Sequence, residues 1–273
     1  MIKDLSIFFK KETLVMGGLG FSAGLPIMLV FSTLSVWLVK AGVERSTVTL
    51  FSWAGFAYSF KFLWSPIVDK FRLPILNQYG HRRSWLFFSQ ILIIISILLA
   101  SLSDPQKNLS FMAISIVLIA FSSATQDIII DAFRIESAPE KKQGPLASMY
   151  LAGYRVAMIV SGAGSLWLAS HFSGSVYQLE VWKNVYQIIS LFMLIGLIST
   201  FFAKEPLMLK KNNIKNFEQI KFTVSTVSSI VIFFIVYLSI PAINELNYFF
   251  SFLLNLVKIL LSFVSSLFFL FIM

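Results

Sequence analysis

Long apolar runs separated by short polar segments restrict this chain more than any other feature. Of its 273 residues, 57% are hydrophobic and 13% charged, and the mean hydropathy is +0.81. A soluble domain carries roughly twice that share of charge. In hydrocarbon every backbone N–H and C=O must be satisfied inside the chain, so only helices and closed barrels span a bilayer. The runs here are continuously apolar and do not alternate with period two, which speaks against a barrel. Each run of about 20 residues therefore reads as a transmembrane helix. The expected spans are Thr13–Val39, Val48–Ile67, Ser84–Ser101, Leu109–Ile130, Pro145–Ser170 and Val181–Phe202, followed by Phe222–Ile240 and Tyr248–Met273. The fold class is thus all-α, a polytopic helical membrane protein.

Lys and Arg set the orientation. Lys3, Lys10 and Lys11 precede the first span. Lys70, Arg72, Arg82 and Arg83 lie between the second and third, Arg134, Lys141 and Lys142 between the fourth and fifth, and Lys204, Lys210, Lys211, Lys215 and Lys221 after the sixth. The opposite loops hold only Lys40, Arg45, Lys107 and Lys183. This bias predicts a cytoplasmic N-terminus. Residues 1–203 read as a six-helix unit, 204–221 as a basic cytoplasmic linker, and 222–273 as two additional hydrophobic helices.

The net charge of +9 belongs to these loops, so nucleic acid is not an expected partner. Cysteine is absent, and His81 and His171 lie far apart, so no metal site is expected. The first run is too long for the apolar core of a cleavable signal and is expected to remain as a helix. No nucleophile elbow, P-loop or other catalytic pattern is present. The chain reads as a non-enzyme with no cofactor.

The charges inside the apolar runs carry the functional information. A charge in hydrocarbon costs several kcal/mol on insertion scales and is kept beside a partner or a wet cavity. Asp127 and Asp131 stand at i and i+4 on one face of the fourth span, with Gln126 beside them as a candidate for substrate or charge pairing. A carboxyl in apolar surroundings beside a like charge is suited to taking up and releasing a proton. Lys61, toward the same end of the second span, is a candidate partner for Asp127. Arg155 lies about midway through the fifth span, too deep to snorkel, and is a candidate for an anionic substrate or for neutralising Asp127. Asp69 faces Arg82 and Arg83 across the loop between the second and third spans, where such charges can latch two helices together. Gly20, Gly24 and Pro26 in the first span, and Gly162 and Gly164 in the fifth, read as helix-packing positions.

Several runs together resemble AmpG-type muropeptide permeases of the major facilitator superfamily. They are Gly20-Phe21-Ser22-Ala23-Gly24-Leu25-Pro26, Phe60-Lys61-Phe62-Leu63-Trp64-Ser65-Pro66 with Asp69, Arg82-Arg83-Ser84-Trp85, Ala120 through Asp127 to Asp131-Ala132, Gly153-Tyr154-Arg155, and Ala203-Lys204-Glu205-Pro206. The resemblance covers about residues 13–206. It implies a six-helix N-terminal transporter half in the inner membrane and proton-driven import of GlcNAc–anhydro-MurNAc peptides for peptidoglycan recycling. It places Lys61, Asp127, Asp131 and Arg155 on the family's intramembrane charges, and Asp69, Arg82 and Arg83 on its cytoplasmic gate. Such transporters pair two six-helix halves around the site, and the sequence after Pro206 shows no second half of that pattern. The expectation is a truncated member, completed by a homodimer or by a missing second half. The alternatives are a non-transporting membrane fragment, or a transporter of another anionic substrate such as acetyl-CoA.

Overall fold

The computed structural model describes residues 6–73, 77–173 and 177–206. These residues all fall within one compact unit, Met1–Met208. The expected seventh and eighth spans, and the linker beyond 206, lie outside the described residues.

Among the described residues, five helices are long and apolar enough to cross a membrane: Lys11–Lys40, His81–Leu102, Leu109–Ser137, Glu140–Ser173 and Leu179–Phe202. They correspond to the expected spans one, three, four, five and six. Local chemistry fixes several of their ends. Asn108 caps the fourth span by accepting from the Phe111 N–H at 3.0 Å. Pro139, at the N-cap of the fifth, separates it from the fourth. Gly80, before the third, has φ +102°, a region that favours glycine.

Two spans contain a π-helical turn, Leu29–Thr33 in the first and Val160–Gly164 in the fifth. The Thr33 hydroxyl donates across to the Ser161 carbonyl at 2.7 Å, and Tyr186 donates to the Leu29 carbonyl at 3.1 Å. Side chains of neighbouring spans thus satisfy carbonyls in both bulges.

The second span departs from the expected single helix over Val48–Ile67. It is a chain of short pieces: α-helix Arg45–Phe51, a 3₁₀ turn Ser52–Gly55, α-helix Phe56–Ser59, a 3₁₀ turn Lys61–Leu63 and α-helix Ser65–Lys70. Aromatic residues crowd this stretch (Phe51, Trp53, Phe56, Phe60, Phe62, Trp64), and aromatics lose side-chain freedom in a helix. Gly55 adds backbone entropy, and Pro66 has no N–H to carry a helix through from Phe62, so it stands in the first turn of a new helix. The breaks fall at Phe60 (φ −98°, ψ 9°) and Trp64 (φ −107°).

The first span packs along the fifth, the third along the fourth, and the sixth beside the first and third. One apolar cluster centres on Leu25, Leu34, Trp37, Ile97, Met112 and Tyr186. The other, toward the end bearing the basic loops, centres on Met16, Leu19, Leu86, Ile129, Phe133 and Leu146. Glycine permits the contact between spans one and five. A Cβ at Gly20 would overlap the Tyr150 backbone, at Gly24 the Tyr154 backbone, and at Gly153 the Gly17 carbonyl. Gly162 and Gly164 differ from that expectation. A Cβ at Gly162 would meet Met28 at an ordinary 3.6 Å, and one at Gly164 only the Ile159 carbonyl at 3.8 Å. At these two positions the contact does not require glycine.

Candidate functional site

Two polar clusters lie on this scaffold. The first is inside the bundle. The short turn Lys61–Leu63 aims Lys61 at the fourth span, and its Nζ stands 3.6 Å from Asp127 and 3.7 Å from Asp131. The i, i+4 spacing of the two carboxylates lets one ammonium serve both. Arg134, three residues on, reaches Asp131 at 3.5 Å. Two cations therefore balance two carboxylates. The Asp127 side chain is 15% exposed and that of Asp131 50%, so the pair grades from the protein interior to an open face.

Arg155 is exposed on the fifth span and has no hydrogen-bond or ion-pair partner among the described residues. It does not neutralise Asp127, contrary to one of the two roles expected for it; Lys61 occupies that position. Gln126 is also placed differently from expectation. It is fully buried and turned toward the first span, where its Nε2 donates to Ser22 Oγ at 2.7 Å. Its neighbour is therefore a hydroxyl rather than a charge. A parallel buried contact runs from Thr200 Oγ1 to Gln90 Oε1 at 2.9 Å.

The second cluster is at the basic end. Arg82 is nearly buried and forks onto Glu136, with Nε–Oε2 at 2.9 Å and Nη2–Oε1 at 2.7 Å. Its Nη1 reaches Asp69 at 2.6 Å. One guanidinium thus ties the end of the second span and the end of the fourth to the start of the third. Glu205 accepts the backbone N–H groups of Arg82 at 2.8 Å and of Arg83 at 3.0 Å. A carboxylate there satisfies the open donors of the third helix and meets the positive end of its dipole.

Arg83 does not join Asp69 as expected. Its guanidinium donates to the Thr200 and Phe201 carbonyls at 3.2 and 3.0 Å, closing the end of the sixth span. Of the two arginines, Arg82 latches Asp69 and Arg83 ties the third span to the sixth.

Sequence reasoning missed Glu136 because it ended the fourth span at Ile130, leaving Glu136 in a loop. The helix continues to Ser137. Glu205 stood in the quoted Ala203–Pro206 run without a role. An acidic residue just before a helix-ending proline, opposite a helix that starts with arginines, was the available signal.

With this geometry in place, comparison with known proteins defines the class. The chain belongs to the Major Facilitator Superfamily, whose model matches residues 16–273. That match runs beyond Pro206, where the expected resemblance stopped. The protein is a multi-pass membrane protein of a small-molecule transporter family. More specifically, it is similar to the anhydromuropeptide permease of Escherichia coli K12, at 37% identity over 202 residues, covering 74% of this chain and 39% of that protein. A Rickettsia felis protein carrying the name transporter AmpG 4 is 37% identical over 161 residues, 59% of this chain and 39% of its own length. A Rickettsia typhi protein named for AmpG 3 is 34% identical over 200 residues, 72% of this chain and 46% of its length. The chain spans less than half the length of these relatives.

Proposed function

We propose that this chain is the N-terminal half of a proton-coupled importer of cell-wall muropeptides, of the GlcNAc–anhydro-MurNAc peptide type, and not an enzyme. It sits in the bacterial inner membrane with its N-terminus in the cytoplasm. The observation that carries the reading is Lys61 Nζ held between Asp127 and Asp131, with Arg155 exposed on the fifth span and without a partner among the described residues. An inert bundle has no use for a cation shared between two intramembrane carboxylates, or for a guanidinium placed where lipid would penalise it.

In this reading Arg155 receives a carboxylate of the substrate peptide, since guanidinium stays charged and forks onto carboxylates. Asp127 carries the coupling proton. When Asp127 is protonated, Lys61 loses half its counter-charge and moves toward Asp131, so proton uptake becomes a displacement of the second span. Asp131 keeps Lys61 and Arg134 in the polar path. Arg82, bridging Asp69 and Glu136, holds the cytoplasmic ends of spans two, three and four together, and its release opens that side.

Sites of this kind lie between two bundles. The face bearing Arg155 is where a second bundle closes the path, contributed by another copy or by another part of the same protein. Residues 204–221 serve as the cytoplasmic linker and 222–273 as two further helices.

The test is uptake with Asp127→Asn, which keeps the shape and removes the proton exchange. Transport by that variant should lose its dependence on a proton gradient. Full gradient-driven uptake by Asp127→Asn would remove Asp127 from coupling.

A further inference from the structure

Lys61 engages one side of Asp127, through Oδ2. The other oxygen, Oδ1, is buried and has no hydrogen-bond partner. Two hydroxyls in the same neighbourhood share that condition. Ser123 is fully buried, one turn before Asp127 on the same face of the fourth span, and its Oγ has no partner. The Tyr58 hydroxyl, on the second span, is buried without a partner of good geometry. It faces Ser123 and lies within electrostatic reach of Asp127. The Tyr58 ring packs against Phe31 of the first span, with centroids 6.3 Å apart. A buried polar atom left unmade costs about 1–3 kcal/mol. One acceptor and two rotatable O–H donors in one place can satisfy each other.

We propose that Tyr58, backed by Ser123, is a positioning residue for Asp127, its hydroxyl donating to the Asp127 oxygen that Lys61 does not reach. Ser123 in turn donates to the Tyr58 oxygen, giving a short chain from one hydroxyl through the other to the carboxyl. The backbone between the two partners of Asp127 supports this division. Tyr58 belongs to the helix Phe56–Ser59 and Lys61 to the separate turn Lys61–Leu63, with the break at Phe60 between them. Lys61 can therefore withdraw while Tyr58 stays, and the carboxyl keeps one fixed contact in either state.

The other ionisable groups around Asp127 are accounted for. Asp131 shares Lys61 and is held by Arg134. Tyr150 and Tyr154 approach from the fifth span. The first span offers no ionisable side chain between Thr13 and Val39.

The functional meaning of this contact rests on reading Asp127 as the proton carrier, but its test does not require transport. The full chain, reconstituted in liposomes, is compared by infrared spectroscopy in acid-minus-alkaline difference spectra. The Asp127 carboxyl band is assigned by its loss in Asp127→Asn. Tyr58→Phe removes one oxygen and keeps the ring against Phe31. The expected result is a shift of the protonated Asp127 carbonyl band to higher frequency in Tyr58→Phe, as a hydrogen bond is lost, and a smaller shift in Ser123→Ala. A band unmoved by Tyr58→Phe would overturn the proposal. A shifted band in a chain that transports nothing would keep this contact and discard the transport reading.

Discussion

The packing of spans one and five makes a sharp stability prediction, because glycines that look alike in sequence stand in different surroundings. A methyl group at Gly20 would place its carbon 2.8 Å from the Tyr150 carbonyl carbon and 2.9 Å from the Tyr150 Cα. Unbonded carbons prefer about 3.5–4.0 Å, so relief requires roughly 1 Å of separation. The obstructing atoms are backbone and cannot swing aside, so the helices themselves must part. A gap of that size forfeits a quarter to a half of each contact along the seam, and overpacking of this kind costs about 1–3 kcal/mol. Since Gly24, Gly153 and Gly17 share the seam, Gly20→Ala should fall at the upper end, near 3 kcal/mol. Gly164→Ala meets only one atom, at 3.8 Å, and should be neutral or stabilising by a few tenths of a kcal/mol, since alanine is the better helix former. The assay is reversible unfolding of the detergent-solubilised chain, followed by tryptophan fluorescence, for the wild type and the two variants. Equal stability of Gly20→Ala and Gly164→Ala would refute the reasoning, because it rests entirely on the difference in contact.

The remaining predictions concern the two polar clusters. Arg82→Gln should destabilise the unit by about 3 kcal/mol, since Glu136 loses a bidentate partner, whereas Asp69→Asn should cost under about 1 kcal/mol because Asp69 is more than a third exposed and screened; thermal unfolding of both variants checks the ratio. Arg155→Gln should leave stability within about 0.5 kcal/mol, as expected of an exposed side chain without partners, while raising the substrate concentration needed for half-maximal uptake; a stability loss with uptake unchanged would make Arg155 structural. Lys61→Met should abolish gradient-driven uptake, because it leaves Asp127 and Asp131 facing each other without a shared counter-charge. Restoration of uptake by Lys61→Arg would show that charge at this position is what matters.

How far the sequence revealed this arrangement depended on the range of the interaction involved. Apolar length is a local property, so the first, third and sixth spans lie within about three residues of their expected bounds, while the fifth starts five residues earlier and the fourth runs seven residues past its expected end at Ile130. The i, i+4 carboxylates of Asp127 and Asp131 were visible for the same reason. The broken second span was not, because hydropathy averages over Phe60 and Trp64 without registering their backbone angles. Partner choice among charges was half legible. Lys61 could be matched to Asp127 by depth alone. The fork of Arg82 onto Glu136 depends on a helix running past the apolar boundary to Ser137. Arg83 and Gln126 were assigned by their neighbours in sequence, yet helical geometry turns successive residues about 100° apart. Arg82 therefore meets Asp69 while Arg83 meets the sixth span, and Asp127 meets Lys61 while Gln126 meets Ser22. The glycines show the limit most clearly. Gly20 and Gly164 are each half of a small-residue pair, and only the facing backbone distinguishes them.

The most direct test of the central claim is uptake of labelled GlcNAc–anhydro-MurNAc tripeptide by cells lacking their own permease and expressing this chain, with and without a protonophore. The account predicts accumulation that the protonophore abolishes. Accumulation indifferent to the protonophore would contradict it.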